Sequence, residues 1–286
     1  MLGRRGALRY LAVPPYAWLG LFFVLPLVLV IAISLRPETG PIDFDDPWQL
    51  SLMQYQIVLE TPAYLRLLGI SILMAATVAA TATLLAFPVA YFLTFRARER
   101  ATFYLVLLLI PFATSYLLRV MAWRLMLGQE GAINSFLQFV GLTSEPLDLL
   151  LYSRAAVVLT LIYVWIPFAA LPIYAAMQRI DRGHLEAAAD LGAGPWSRFM
   201  RVTVPLALPG ALAAFFMVFI PTVGEYVTPS LVGGTEGIMY GNLIQDFFTS
   251  AANWALGSAF SVFMLVVTLV LVVVALRLVD VRRVAT

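Results

Sequence analysis

The sequence predicts an all-α, polytopic membrane protein with six transmembrane helices, and three observations carry that prediction. Hydrophobic residues make up 62% of the 286-residue chain and charged residues only 12%, about half the share of a soluble domain. The apolar residues fall in blocks of about 20, the length at which a helix crosses the hydrocarbon core of a bilayer. The basic residues, all arginine, are placed unevenly between those blocks. Arg4, Arg5, Arg9, Arg96, Arg98, Arg100, Arg179, Arg182, Arg198, Arg201, Arg277, Arg282 and Arg283 fall on one side. Only Arg36, Arg66, Arg119, Arg124 and Arg154 remain for the other. By the positive-inside rule the first side is cytoplasmic, with both termini there.

Taken in order, residues 1–35 read as a cytoplasmic tail followed by a first span at 14–34. A cleaved signal peptide shares the pattern of arginines before an apolar core, but this run is too long and contains Pro26. Residues 36–63 form an acidic, proline-broken periplasmic loop, with a short interfacial helix expected near 50–59. Residues 64–277 read as a five-helix core. Its second span, about 65–95, has an alanine- and threonine-rich middle that lets neighbouring helices approach closely. Arg96, Arg98 and Arg100 mark a tight turn before a third span at about 102–125, which contains Pro111. An external loop at 128–153 leads to the fourth span at 155–176, interrupted by Pro167 and Pro172. The fifth span covers about 202–223 and the sixth 254–276, separated by an external segment with Glu225, Gly233, Gly234 and Asp246. Residues 278–286 close the chain as a cytoplasmic tail.

Composition excludes several kinds of chemistry. There is no cysteine, so disulfides, thiolate metal sites and cysteine nucleophiles are absent. Without lysine the chain holds no Walker A loop and forms no Schiff base. A metal role for the lone His184 lacks other ligands nearby, and a membrane enzyme would need clustered His, Asp or Glu on adjacent spans. No catalytic or metal site is therefore expected. A channel or secondary transporter acting alone remains an alternative, although it would be expected to show inverted repeats or midplane charges.

The polar run 181–210, DRGHLEAAADLGAGPWSRFMRVTVPLALPG, is the conspicuous exception to the hydrophobic blocks. Asp181 suits an N-cap, the alanines favour helix, and Gly192 suits the left-handed position that ends one. Pro195 then fits the first position of a second short helix. Glu186 and Asp190, at i and i+4, share a face. The charge pattern puts this hairpin, 181–202, in the cytoplasm.

Its spacing is specific. Glu186-Ala187-Ala188, then Asp190, Gly192, Ala193, Phe199, Pro205 and Pro209, resembles the EAA loop of ABC importer permeases. Pro111-Phe112, Gly224-Glu225-Tyr226-Val227 and Gly233-Gly234 look like the permeases of the spermidine/putrescine importer family. The resemblance implies a type I ABC importer permease fold in the inner membrane, forming half of a translocation path. It further implies that Glu186, Ala187, Ala188, Asp190 and Gly192 dock on a separate ATPase. Expected partners are two ATP-binding subunits that hold ATP and Mg, a second and different permease chain, a periplasmic or lipid-anchored solute-binding protein, and membrane lipid; nucleic acid is not among them. No cofactor is expected on this chain, which is a transport subunit and not an enzyme.

Residues at span ends are candidates for the path: Glu225 first, as an attractor for an amine, with Tyr226, Trp123, Tyr116 and Asp246. Aromatic residues at span ends also form ordinary interfacial belts. A polyamine is the cargo the resemblance implies. Arg119 and Arg124 keep an anion open as the alternative, alongside iron or an amino-acid-like solute.

Overall fold

The computed structural model describes residues 13–37, 49–147 and 151–278. The tail expected at 1–12, all but the first residue of the tail expected at 278–286, and the loop acids Glu38, Asp43, Asp45, Asp46 and Asp148 lie outside the described residues. Among the described residues, all regular structure is helical. The helices are α1 (Val13–Ser34), α2 (Met53–Glu60), α3 (Pro62–Tyr91), α4 (Ala101–Leu109), α5 (Tyr116–Leu127) and α6 (Ala132–Phe139). They continue with α7 (Arg154–Met177), α8 (Arg182–Asp190), α9 (Pro195–Arg198), α10 (Val204–Val223), α11 (Tyr240–Phe248) and α12 (Trp254–Leu278).

Five helical stretches are long and apolar enough to cross a bilayer: Val13–Ser34, Pro62–Ala113, Arg154–Met177, Pro195–Val223 and Trp254–Leu278. The second has 52 residues. Straight, it would reach about 78 Å, more than twice the hydrocarbon thickness. It is not straight: Arg98 has φ 46°, a conformation no helix continues through. The stretch is thus two arms meeting at the arginine turn, which yields the second and third of six spans.

Prolines act differently from the sequence expectation. The fourth span is not interrupted by Pro167 and Pro172: α7 runs through both for its full 24 residues. In a membrane, packed neighbours and small local adjustments make good the lost hydrogen bonds. Elsewhere a widened turn precedes a proline, at Gly20–Val24 before Pro26 and at Phe199–Thr203 before Pro205. The wider turn moves the carbonyl four residues back away from the ring. The third span, which contains Pro111, does break. A tight turn at Ile110–Ala113 is followed by Thr114 at ψ 153° and Ser115 at ψ 137° before α5 begins. The Thr114 hydroxyl donates to the Pro111 carbonyl at 2.6 Å, a local bond that competes with the helix ladder.

The chain forms two compact units. In one, the residues up to Arg66 join Leu243–Val267. There Ser34 and Tyr55 share a hydroxyl hydrogen bond of 2.7 Å, and Gln54 donates to the Arg36 carbonyl at 3.2 Å. Tyr64 meets the Phe260 ring edge-on at 4.8 Å, and Phe247 stacks on it at 5.1 Å. Most large side chains of α1 are exposed, as suits a helix surrounded by lipid.

The other unit comprises Leu67–Asn242 and the residues from Thr268. Its core is the antiparallel pair α7 and α10. A Cβ on Gly210 would come within 2.4 Å of the Ala176 Cβ and 2.6 Å of the Pro172 carbonyl oxygen, so only glycine permits this approach. α3 contributes a fully buried row of Ala75, Ala79, Ala82, Ala86 and Ala90, whose helical spacing makes one smooth face.

Candidate functional site

Between α7 and α10 the chain leaves the bundle as the hairpin expected from sequence. The Asp181 carboxylate accepts from the Gly183 amide at 3.0 Å, capping α8. At its far end Gly192 adopts φ 81°. The Gly192 amide donates to the Ala189 carbonyl at 2.8 Å, and the Ala193 amide to that of Ala188 at 3.0 Å. These two bonds close a Schellman motif, which satisfies the last carbonyls of the helix. Gly194 is the extended N-cap of α9, and Pro195 stands in its first turn.

The hairpin displays almost all of its side chains. Glu186, Ala187 and Asp190 are exposed, Ala188 is partly covered, and His184 lies at the surface. Leu191 is 88% exposed and Trp196 69%, an apolar tip that sequence reasoning passed over. α9 is not a free second helix. It runs without a break through the widened turn into α10, so the second arm is the end of the fifth span itself.

That root is braced by aromatic contacts. The Phe199 ring meets Phe87 at 5.8 Å and Tyr91 at 5.3 Å, both edge-on, tying the hairpin to the end of α3. Trp196 lies 5.6 Å from Phe199. A push on the hairpin therefore reaches α10 directly, α7 through the Gly210 contact, and α3 through Phe199.

A second group of polar residues gathers where the third span breaks. The Tyr116 and Thr228 hydroxyls are 2.5 Å apart, and the Glu225 carboxylate also faces Tyr116. Glu225 is half-buried, and its Oε1 accepts from the amides of Val227 at 2.9 Å and Thr228 at 3.1 Å. It thus caps the turn that leads into Pro229–Gly233. Arg119 lies on the Phe112 ring at 4.3 Å from its centroid, with its Nε and Nη1 buried and without a hydrogen-bond partner. Asn242 fastens the exposed Tyr226 stretch, donating to the Tyr226 carbonyl at 2.9 Å and the Ser230 hydroxyl at 2.7 Å. The Tyr240 amide donates to Ser71 at 2.8 Å, and burial raises the Tyr240 phenol well above its usual range.

Of the candidates for the path, Tyr116 and Glu225 are brought together. Trp123 packs on Tyr163 of α7 at 5.3 Å, and Asp246 is exposed on α11. Thr228 and Asn242 went unnoticed in the sequence. Pro229 is the one signal for them, since it marks a helix start that needs a cap nearby. Among the described residues, no three His, Cys, Asp or Glu are placed to hold a metal ion.

Residues 10–283 match the family model described as binding-protein-dependent transport system inner membrane component. The chain is 31% identical over 262 residues to the spermidine/putrescine transport system permease protein PotB of Haemophilus influenzae, covering 92% of this chain and 90% of that one. It is likewise 31% identical to PotB of Escherichia coli strain K12, covering 87% and 90%. Among solved structures it superposes on a bacterial ABC transporter involved in import of the acidic polysaccharide alginate, with TM-score 0.72 and 17% identity, over 96% of this chain and 95% of that one. The methionine transporter MetNI in an inward-facing conformation matches with TM-score 0.55 and 17% identity, over 77% of this chain and 95% of that one.

Proposed function

Because this chain belongs to the family of binding-protein-dependent transport system inner membrane components, we propose that it forms half of the membrane path of a polyamine importer and is driven through its 181–202 hairpin. It is the permease component of an ABC importer, a multi-pass inner-membrane transport subunit and not an enzyme. ATP hydrolysis in such systems belongs to a separate subunit.

The observation that carries the reading is the capped, exposed hairpin rooted in three membrane helices. Ala187 and Ala188 make α8 slim enough to enter a groove on an ATP-binding subunit. Glu186 and Asp190 offer carboxylates to basic groups there, and Leu191 and Trp196 offer the apolar surface that makes a contact strong. The arginine distribution supports a cytoplasmic hairpin and cytoplasmic termini. Two ATP-binding subunits carrying ATP and Mg, a second and different permease, and a solute-binding protein complete the machine.

Spermidine or putrescine is the cargo favoured by the two PotB relatives. Glu225 supplies a negative charge beside the exposed face of Tyr226, a pairing suited to an ammonium group. An anionic cargo is the second reading, favoured by the unpartnered nitrogens of Arg119. The whole importer in proteoliposomes, given labelled spermidine, putrescine or molybdate with its cognate binding protein, separates them. ATP-dependent polyamine uptake, weakened about tenfold in Glu225→Gln by loss of about 1.4 kcal/mol, is expected. Uptake of molybdate without polyamine would overturn the cargo assignment.

A further inference from the structure

The end of the larger unit remote from the hairpin carries a short helix with an exposed apolar face. α7 spans 24 residues, about 36 Å, between that end and the hairpin. There α6 follows closely on α5, folded back at Gly131, where a Cβ would come within 2.4 Å of the Met126 carbonyl oxygen. On its inner side α6 sets Asn134 between the half-buried Ile133 and Leu137. Asn134 is fully buried, donating to the Gly128 carbonyl at 3.0 Å and accepting from the Leu147 amide at 2.9 Å.

Its exposed surface is divided between an apolar side and a polar side that holds Ser135 and Gln138. Phe136 is 64% exposed, Phe139 90%, Val140 52% and Leu142 69%, and the first three share one helical face. In water each such side chain would forgo the gain of burial. From Gly131 to Thr143 there is no Asp, Glu, Lys or Arg, so this face is not matched to a charged protein surface. Its level relative to the membrane is marked by neighbours. Arg124, near the end of α5, donates to the Tyr152 hydroxyl at 3.0 Å, two residues before α7 begins. Arginine and tyrosine at the ends of spans are the side chains that sit among lipid headgroups.

We infer that α6 is a membrane-surface anchor, with Phe136, Phe139, Val140 and Leu142 buried in the headgroup–acyl boundary of the lipid. It holds the end of α5, and with it the helix that bears Tyr116 and Arg119, at a fixed depth. The inference rests on the spans being transmembrane and is independent of cargo and of the ATPase contact.

Because the chain contains no cysteine, Phe139→Cys and Gln138→Cys each create a single labelling site on it. Gln138 lies on the polar side of α6, well round the helix from Phe139. Nitroxide at each site is read by power saturation, in the assembled importer in nanodiscs whose other subunits lack reactive thiols. Position 139 should respond several-fold more to lipid-soluble oxygen than to an aqueous nickel chelate, and position 138 the reverse. A stronger response to the nickel chelate at 139 would place the face in water and overturn the anchor. So would protection of 139 from both relaxants, which would identify a protein partner as the occupant, whether the binding protein or the companion permease.

Discussion

Glycine does different work in two parts of the larger unit. In the hairpin, Gly192 is needed for its φ of 81°, while a Cβ there would meet open space. In the stretch 224–241 the demand is for room. A Cβ on Gly237 would come within 2.4 Å of the Gly233 Cα, and one on Gly241 within 2.5 Å of the Gly224 carbonyl oxygen. The hairpin is shaped by rules that act within a few residues, whereas the 224–241 stretch is shaped by how closely its own turns pack. A region built in the first way can move as a unit and meet a partner. One built in the second way resists deformation and holds groups such as Glu225 in place.

The comparison predicts a graded series of effects. Gly241→Ala should be the most damaging, because the obstructing atoms are backbone oxygens that cannot swing aside. About 3 kcal/mol of stability should be lost, seen as poor accumulation in the membrane or an early thermal transition in detergent. A normal transition would mean that the stretch is pliable. Gly192→Ala should cost about 1–2 kcal/mol, confined to the hairpin. The protein should insert and melt almost normally, yet lose ATPase-subunit retention and uptake. If instead its melting fell as far as that of Gly241→Ala, the distinction between the two regions would fail. Asp181→Ala should have the smallest effect, about 1 kcal/mol of local helix stability, read as faster amide exchange at Gly183 and His184. Asp181→Asn should restore protection, since its amide oxygen still accepts the Gly183 bond.

The same contrast explains what was legible in the sequence. Asp181, Gly192 and Pro195 take the positions expected of them because capping depends only on neighbours along the chain. Span lengths followed from hydropathy for the same reason. The break in the third span did not, because Pro167 and Pro172 in α7 look much like Pro111 yet leave their helix whole. The difference lies in Thr114 and Ser115, whose local bonding and extended backbone end the helix after Pro111. Glu225 was singled out as an ionisable residue near the membrane, but its capping of Val227 and Thr228 depends on a fold that no periodicity encodes. The orientation of α6 was hidden for a related reason: Asn134 turns inward only because Gly128 and Leu147 are there to receive it.

Docking of the hairpin on an ATP-binding subunit is tested most directly by cross-linking from Leu191, the exposed leucine that ends α8. In the otherwise cysteine-free chain, Leu191→Cys carrying a photoactivatable label should cross-link to the ATP-binding subunit in the assembled importer, and the cross-link should stop uptake. Equal labelling of that cysteine by an aqueous maleimide with and without the ATP-binding subunit, together with no cross-link, would contradict it.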